Sequence, residues 1–450
     1  MIWTDATVRA ALGLPGAPGE QRYSGVCTDT RAIPPGALFV ALAGERYDAH
    51  AFLAEAARSG ATGAVVRSGT APVGGLVFYE VPDTLRALGD LGRYRRRSIP
   101  GPVVAVTGTN GKTSTKEMIA AALGTRYRLH ATRSNLNNLV GVPLTILEAP
   151  DDAEALVVEA GANLPGEMGR HRQVIEPSIA VVTNVAAGHL EGFGSGEGVL
   201  LEKLRLTDGV PLAIVGPEPP VLAELARERA RRVVVAGLAR ADRAPTSVEV
   251  LDDGRPQVVV GTRRFVLGAR GRHQAGNAML AWAVAEALGL DLDRVAAALE
   301  AVRLPGGRGE LTQVGDLSVL NDSYNANPAS FRAAIELARA LRGDRRLVFV
   351  AGTMRELGEA SPALHAEIAS QLVTLKPDLL GAVGEFVEAL APYQARLGDR
   401  LITAPDAVAL GPLLAARLQG GELVVLKGSR GVALERLLPD LAAVRSSPTS

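Results

Sequence analysis

The chain has 450 residues, of which 47% are hydrophobic and 21% are charged, so we predict a globular protein of two to four domains. Its formal net charge is zero, which argues against nucleic acid or an anionic membrane as a partner. The single cysteine, Cys27, excludes an internal disulfide bond and fits a reducing compartment. The sequence has neither a signal-peptide pattern nor an apolar run of about 20 residues, so we expect a cytoplasmic protein without membrane insertion.

Lysine is rare in this chain. Only five of the 48 basic residues are lysines, namely Lys112, Lys116, Lys203, Lys376 and Lys427. Because arginine supplies nearly all of the positive charge, each lysine is a candidate for chemistry that a guanidinium cannot perform, such as the reaction of a neutral amine. Chance placement is the alternative for any single lysine.

The first part of the chain, up to about residue 98, mixes short strands with helices. The pattern predicts strands at 38–42 and 63–66 and helices at 50–59 and 83–97. The segment Ile99-Pro100-Gly101-Pro102 then interrupts regular structure. We therefore place the first domain boundary at about residue 100.

The stretch from Val103 to Thr115 is the most informative part of the sequence. A β-branched run predicts a buried strand, and Gly108-Thr109-Asn110-Gly111-Lys112-Thr113 follows it at the predicted start of a helix. Such a loop holds phosphates through backbone N–H groups and the helix N-terminus, while its Lys and Thr reach the β/γ-phosphates and Mg²⁺. Val106 stands where the standard pattern has glycine, so an ordinary β-to-α turn is the alternative.

Strands and helices alternate after this loop, which predicts a mostly parallel sheet with helices on both faces. An antiparallel segment is predicted at 246–268, with a turn at 252–254. Glu159 ends a predicted strand, where open α/β sheets bind ligands, and is a candidate Mg²⁺ ligand; a solvated strand-end acid is equally compatible. The parallel strands are predicted at 156–160, 179–183 and 211–215.

Two other residues of this region are candidates on weaker grounds. His189 lies in a glycine-containing loop after a predicted strand, where a partly exposed histidine is the commoner outcome. Lys203 lies on a helix predicted at 197–208, where a solvated helix face is the alternative. The scarcity of lysine argues against that alternative.

A third region follows Leu304-Pro305-Gly306-Gly307 and again alternates strands with helices, which predicts a second α/β domain. The segment 321–328 contains more polar side chains than a single helix cap requires, so we favour a binding site there. Pro328 is predicted to be the first residue of the next helix. Lys427 and Arg430 follow the last strand in a strand, glycine turn and helix arrangement that predicts an anion or carboxylate site. The strands are predicted at 317–320, 346–351, 378–383 and 423–427.

Taken together, these motifs resemble the Mur ligase family, and the resemblance runs nearly end to end. The segments shared with the family as a whole are 107–113, 135–143, 159–167, 183–191 together with Lys203, and 271–281. The segments typical of the branch that adds D-alanyl-D-alanine are 28–31, 35–39, 44–50, 322–328 and 354–358.

The resemblance implies an α/β fold of three domains. A small α/β amino-terminal domain, residues 1–100, would bind the UDP part of the substrate. A central domain, residues 101–310, would carry the P-loop and a mostly parallel sheet and bind ATP. A Rossmann-like carboxy-terminal domain, residues 311–450, would bind the incoming dipeptide and close over the site.

The resemblance also implies residue roles. Catalysis would involve Lys112, Lys203, His189 and Arg308. ATP would contact Thr107, Gly108, Thr109, Asn110, Gly111, Lys112, Thr113, Asn277, Arg308 and Asp322. Two Mg²⁺ sites would use Thr113, Glu159, His189 and Lys203, the last as a lysine carbamylated by CO₂. Substrates would contact Thr30, Arg31, Asn135, Asn137, Asn138, Tyr324, Asn325, Asn327, Lys427 and Arg430.

The implied activity is the ATP-dependent joining of D-alanyl-D-alanine to UDP-N-acetylmuramoyl-tripeptide in bacterial peptidoglycan synthesis. The tripeptide carboxylate would take the γ-phosphate to form an acyl phosphate, and the dipeptide amine would then displace phosphate. Mg²⁺ and cationic side chains would neutralise the transferring group, and domain closure would exclude water. The resemblance implies a monomer.

Five loop sites depart from the family pattern: Ala49, Ala187-Gly188 before His189, Gly216-Pro217, Asn321 and Thr353. The open alternatives are a ligase of the same family that adds a diamino acid, a folylpolyglutamate synthase, and a nucleotide-binding regulator that has lost the reaction. The sequence contains no Asp-Asn-Pro-Arg stretch, which argues against the diamino-acid ligase. The presence of all the expected metal ligands argues against the regulator, and the lack of a basic track argues against a motor-type NTPase.

Overall fold

The structure is a computed structural model that describes residues 3–44, 47–186 and 193–445. His189, one of the predicted metal ligands, lies outside the described residues. Three mostly parallel sheets follow one another along the chain with helices packed against them, which confirms the predicted α/β fold. None of the described helices combines the length and the apolar character needed to cross a bilayer.

The first sheet is parallel and has the strand order β3-β4-β5-β6, beside an antiparallel pair of β1 and β2. The strand predicted at 38–42 ends at Val40, two residues early. The strands are β1 Trp3–Thr4, β2 Arg22–Tyr23, β3 Val26–Cys27, β4 Leu38–Val40, β5 Gly63–Arg67 and β6 Val77–Val81. The helices are α1 Asp5–Leu12, α2 Leu53–Arg58 and α3 Thr84–Arg96.

The second sheet has the order β12-β11-β10-β7-β9-β8, and all of its neighbouring strands are parallel. Every residue of β7 is buried, because helices cover both faces of this central strand. The strands are β7 Val103–Thr107, β8 Leu129–Ala131, β9 Ala155–Glu159, β10 Ile179–Val182, β11 Leu212–Val215 and β12 Val233–Val235. The helices are α4 Lys112–Gly124, α5 Gly141–Leu147, α6 Glu167–Ile175, α7 Gly196–Leu204 and α8 Val221–Arg227.

The helix predicted at 197–208 is therefore shorter than expected. It is α7 followed by a single 3₁₀ turn, Arg205–Thr207. The predicted antiparallel segment is confirmed as three strands, β13 Ser247–Val250, β14 Pro256–Val260 and β15 Arg263–Val266. Two helices follow it, α9 Arg272–Ala287 and α10 Leu292–Ala301, and Trp282 of α9 stacks on Phe265 with ring centroids 5.5 Å apart.

The third sheet has the order β16-β17-β21-β18-β19-β20, in which only the edge strand β16 is antiparallel. The strands are β16 Glu310–Val314, β17 Leu317–Asp322, β18 Leu347–Ala351, β19 Leu379–Val383, β20 Leu401–Ala404 and β21 Leu423–Lys427. The helices are α11 Pro328–Arg342, α12 Ser361–Leu375, α13 Glu385–Leu390, α14 Gln394–Leu397, α15 Ala407–Ala415 and α16 Leu438–Ala442.

One predicted element of the third region is wrong. The helix expected after Lys427 is only a 3₁₀ turn, Arg430–Val432, which ends where Ala433 adopts a left-handed conformation at φ +55°. The prediction that Pro328 opens a helix is confirmed: Pro328 is the first residue of α11, and Asn327 caps that helix.

Close backbone contact holds the first region against the second. Helix α3 packs on α5 at Gly92, where an added Cβ would lie 3.0 Å from Pro143 Cα. At the end of α3, the side chains of Arg93 and Arg97 pair with the carboxylate of Glu176, each at 2.7 Å. Because these two ion pairs are partly exposed, they contribute little to stability. The close packing of α3 on α5 at Gly92 therefore contributes more to holding the two regions together.

A buried chain of hydrogen bonds ties β2, β6 and α1 together. Tyr79 Oη donates to Asp5 Oδ1 at 2.6 Å and lies 2.7 Å from Tyr23 Oη. Burial works to raise the pKa of Asp5, but hydrogen bonds from Tyr79, Gly19 and Arg9 outweigh it and hold the pKa below the usual carboxyl value. The stabilisation from Asp5 is therefore present above the usual carboxyl pKa and is lost as the pH falls through the lowered one.

We predict that Tyr79→Phe lowers the free energy of unfolding by about 1–3 kcal/mol, because Asp5 and Tyr23 each lose a buried partner. Urea unfolding at neutral pH measures the change. Tyr94→Phe is the matched control, since Tyr94 lies on α3 and packs through its ring against Trp3. Equal stability of the two variants would contradict the prediction.

Candidate active site

The predicted phosphate loop connects β7 to α4 at the middle of the second sheet. Gly111 caps the helix with φ +77°, and Lys112 is its first residue. Gly108 has φ +146°, and a Cβ there would lie 1.9 Å from Thr183 Oγ1. Only glycine fits that position, so the loop geometry predicted from the sequence is confirmed.

The end of the neighbouring strand β10 fixes the loop from the side. Thr183 Oγ1 donates to Asn110 O at 2.5 Å, and Asn184 Nδ2 donates to the same oxygen at 3.1 Å. Asn184 Oδ1 in turn accepts from Asn110 N at 3.1 Å. Thr183 and Asn184 were not among the predicted site residues. A pair of polar residues directly after a buried strand is a pattern from which they could have been predicted.

Lys112 folds back over the loop. Its Nζ donates to Gly108 O at 2.9 Å and Thr109 O at 3.2 Å. Burial lowers the pKa of this amine, the carboxylate of Glu159 acts against that, and the nearby Arg308 lowers it further. The amine thus sits where an anion would be stabilised.

Glu159 ends β9 and is 2% exposed. Its Oε1 accepts from Asn137 Nδ2 at 2.8 Å, and its backbone N–H donates to Thr132 Oγ1 at 2.9 Å. Its Oε2 is buried and has no hydrogen-bond partner among the residues that the structure describes. A buried carboxylate oxygen without a donor fits a cation, because hydrogen bonds normally satisfy such atoms.

Lys203 lies on α7 and is only 1% exposed, yet it lines the same cavity as the phosphate loop. Burial lowers the pKa of its amine to about 7, with a contribution from the charge of Lys112. Its neighbour Glu202 is engaged elsewhere, accepting from Met168 N at 2.8 Å and pairing with Arg205 at 3.1 Å. The alternative of a solvated helix face is therefore wrong for Lys203.

A polar cluster on α9, in which Gln274 and Asn277 are buried, borders the other side of the loop. Asn277 Nδ2 donates to Gln274 Oε1 at 2.9 Å, and a Cβ on Gly111 would lie 2.5 Å from Asn277 Oδ1. His273 Nε2 lies 3.0 Å from Gln274 Nε2, and burial lowers the pKa of His273. His273 belongs to the segment 271–281 that the family resemblance places on the adenine side, whereas no pattern in the sequence marks Gln274.

The strand ends of the third sheet complete the cavity. Asp322 and Lys427 are register partners, and Lys427 Nζ lies 2.7 Å from Asp322 Oδ2. The same amine donates to Asp322 O at 3.1 Å and Asn325 O at 2.8 Å. Lys427 therefore binds the carboxylate of Asp322 and two carbonyl oxygens of the polar loop, and binding of a ligand anion or carboxylate at Lys427 and Arg430 stays a prediction.

Two contacts join the third region to the phosphate loop. Asn327 Nδ2 donates to Asn110 Oδ1 at 2.6 Å, and Arg308 Nη2 donates to Thr113 Oγ1 at 3.2 Å. The guanidinium carbon of Arg308 lies 3.6 Å from the ring centroid of Tyr324, and that of Arg430 lies 5.2 Å from it. The loop after β17 and the loop after β7 therefore face each other across one site.

A cavity of about 780 Å³ brings most of the predicted residues together. The predicted residues that line it are Thr109, Asn110, Gly111, Lys112, Thr113, Asn135, Asn137, Asn138, Glu159, Lys203, Asn277, Arg308, Asp322, Tyr324, Asn325 and Lys427. Four other predicted residues do not line the cavity: Thr107, Gly108, Asn327 and Arg430. Of these, Asn327 and Arg430 contact residues that do line it.

Two predicted substrate contacts lie apart from this cavity. Thr30 and Arg31 belong to a 3₁₀ turn, Thr30–Ala32, in the first region. The side chain of Arg31 is largely exposed and pairs with Asp29 at 2.6 Å. Among the described residues, no cluster of three or more His, Cys, Asp or Glu side chains could hold a metal by itself.

Three of the departures from the family pattern keep their loops intact. Asn321 Oδ1 accepts from Ser323 N at 3.2 Å, as a turn-capping carboxylate would. Thr353 Oγ1 accepts from Glu385 N at 3.0 Å. Ala49 is buried beside Asp48, whose carboxylate accepts from His50 N at 3.0 Å.

Comparisons with known proteins agree with this geometry. The family model described as the Mur ligase middle domain matches residues 106–285, and the one described as the Mur ligase, glutamate ligase domain matches residues 307–430. The chain is 34% identical to the UDP-N-acetylmuramoyl-tripeptide–D-alanyl-D-alanine ligase of Bacillus subtilis over 429 residues, which cover 93% of each protein.

Solved structures of similar proteins carry the same fold. A crystal structure of MurF from Acinetobacter baumannii matches with a TM-score of 0.87 and 30% identity, covering 98% of this chain and 99% of that one. The MurF ligase from Thermotoga maritima in complex with ADP matches with a TM-score of 0.82 and 26% identity, covering 93% and 97%. By these sequence and structural matches, the chain belongs to the Mur ligase family, in the branch of its D-alanyl-D-alanine-adding members.

Proposed function

We propose that this protein uses ATP to join D-alanyl-D-alanine to UDP-N-acetylmuramoyl-tripeptide in peptidoglycan precursor synthesis, in the cytoplasm. The observation that carries the proposal is the single cavity in which the phosphate loop faces a polar loop of the third region. A ligase of this kind needs both, because one side must hold ATP and the other an acceptor amine. The names of the relatives agree with this assignment.

The three predicted domains receive distinct roles in this proposal. Residues 1–100 would bind the UDP group, where the half-buried Thr30 and the exposed Arg31 are available to it. Residues 101–310 would bind ATP at the phosphate loop, with Asn277 near the adenine. Residues 311–450 would bind the dipeptide through Tyr324, Asn325 and Arg430, whose guanidinium suits a carboxylate.

Magnesium fits the residues beside the loop. Glu159 offers a buried oxygen that no other described residue hydrogen-bonds, and Thr113 offers a hydroxyl on the first turn of α4. Mg²⁺ prefers one or two carboxylates together with phosphate oxygens, and it would supply positive charge to the γ-phosphate. His189 stays a prediction for a second Mg²⁺ site.

Lys203 would complete the ligand set as a carbamate. A neutral lysine Nζ can attack CO₂, forming an N–C bond and releasing one proton, and the product carries a carboxylate-like negative charge. The lowered pKa of about 7 supports this reaction, because a large fraction of the amine is then neutral near physiological pH. Arginine could not react in this way.

The proposed reaction has two steps. A carboxylate oxygen of the tripeptide attacks the γ-phosphorus of ATP, the bond to the bridging oxygen breaks, and ADP leaves. The dipeptide amine then attacks the acyl carbon, the C–O bond to phosphate breaks, and the nitrogen loses a proton. Lys112 and Arg308 stabilise the charge that develops on the transferring group, and the third region shields the acyl phosphate from water.

The proposed acceptor is tested by phosphate release from ATP in the presence of UDP-N-acetylmuramoyl-tripeptide. We expect stoichiometric release with D-alanyl-D-alanine and only background release with free diamino acids or glutamate. Release that depends on a diamino acid or on glutamate would assign the protein to another branch of the family. Release without any acceptor would indicate simple hydrolysis.

We predict that Lys203→Ala nearly abolishes ligation, because the carbamate ligand can no longer form. Removal of CO₂ and bicarbonate from the buffer should lower the activity of the unaltered protein, and added bicarbonate should restore it. Lys376→Ala is the matched control, because Lys376 is an exposed lysine at the end of α12. Near-normal turnover of Lys203→Ala would refute the carbamate.

We predict that Lys112→Ala lowers kcat by at least about a hundredfold, because the amine acts on charge that develops in the transition state. Steady-state kinetics with ATP as the varied substrate separate kcat from KM. Lys112→Arg, which keeps the charge but not the compact ammonium, should recover only part of the loss. A change confined to the KM for ATP would contradict this role.

A further inference from the structure

Arg308 reaches the phosphate loop from the connection that leads into the third sheet. It lies just before β16, and its Nη2 donates to Thr113 Oγ1 on the first turn of α4. Its charge also lowers the pKa of Lys112. Arg308 therefore adds positive charge to the loop across the boundary between two regions of the chain.

The flat guanidinium of Arg308 rests on the ring of Tyr324. The distance of 3.6 Å from the guanidinium carbon to the ring centroid is that of close stacking. Arg430 lies 5.2 Å from the same centroid, so its contact is looser. The ring of Tyr324 thus contacts two arginines that the proposed function assigns to different substrates.

Two hydrogen bonds, one to each neighbour of Arg308 in the chain, reinforce this contact. Tyr324 N donates to Gly307 O at 3.0 Å, and Gly309 N donates to Asp322 Oδ1 at 3.1 Å. Gly307 has φ +74°, and a Cβ there would lie 3.3 Å from Tyr324 Cβ. The segment 307–309 and the loop after β17 are therefore fastened together as one unit.

An aromatic ring suits this position better than a carboxylate. A carboxylate would orient the guanidinium but would neutralise its charge and occupy its N–H donors. A ring face attracts the cation while leaving the in-plane N–H groups free for phosphate oxygens. The Arg308 guanidinium contacts the Tyr324 ring and the Thr113 hydroxyl. Among the described residues, no carboxylate forms an ion pair with it.

We infer that Tyr324 is a positioning residue for phosphoryl transfer: its ring holds Arg308 against the phosphate loop, so it serves the first step of the reaction as well as dipeptide binding. This inference rests on the proposed function. The acyl phosphate forms before the dipeptide amine reacts. A residue that only contacted the dipeptide would therefore have no effect on the first step, whereas Tyr324 is expected to have one.

The test isolates the first step by omitting D-alanyl-D-alanine and trapping the acyl phosphate with hydroxylamine as a hydroxamate. We expect Tyr324→Leu and Tyr324→Gln to lower the kcat of hydroxamate formation about tenfold, the size of a partly buried cation–π contact. Tyr324→Phe keeps the ring and should retain most of the rate. Tyr127→Leu is the matched control, since Tyr127 carries Arg126 at 5.3 Å from its ring and does not line the cavity.

A double-mutant cycle assigns the effect to Arg308. In an Arg308→Ala background, Tyr324→Leu should cause no further loss, because the group that the ring positions is already absent. Additive losses, a Phe variant as slow as the Leu variant, or a Leu variant that changes only the KM for D-alanyl-D-alanine would each overturn the inference. Failure of the proposed function would look different, since the unaltered protein itself would then form no hydroxamate.

Discussion

The placement of two lysine amines at one end of the second sheet, the buried one of Lys203 and the half-buried one of Lys112, is the constraint on which the rest of the site depends. Lys112 and Lys203 each lose water, and the charge of Lys112 lowers the pKa of Lys203. A protein interior tolerates such cations only when anions or oriented dipoles compensate them. The carbonyls of the loop compensate Lys112 in part, and the negative charge of Glu159 also stabilises its protonated amine.

The proposed ligands would complete this charge balance. A triphosphate would bring negative charge to Lys112 and Arg308, Mg²⁺ would bind the buried oxygen Oε2 of Glu159, and carbamylation would turn Lys203 from a cation into an anion. Each change makes the next one more favourable, because opposite charges at short range in a buried site interact strongly. The site would thus assemble as a unit with its ligands.

Parallel topology brings these groups together. Strands β7, β9 and β10 are neighbours in the second sheet, so their carboxyl ends place the loop, Glu159 and Thr183 at one edge. The third sheet is arranged in the same way. Its neighbouring parallel strands β17 and β21 end at Asp322 and Lys427, beside β18. Two sheet edges that face each other form the cavity, and Asn327 and Arg308 join them.

The sequence alone determined the α/β class, the phosphate loop and Glu159, because a β-branched run, a glycine-bracketed turn and Lys-Thr at a helix start are local patterns. Its polar segment at 321–328 likewise marked a site before any fold was known. Only the tertiary structure decided that the amine of Lys427 binds Asp322, that Glu159 is buried beside the phosphate loop and that Tyr324 stacks on Arg308. These contacts join residues far apart in the chain, and burial and side-chain partners depend on packing that no local pattern specifies.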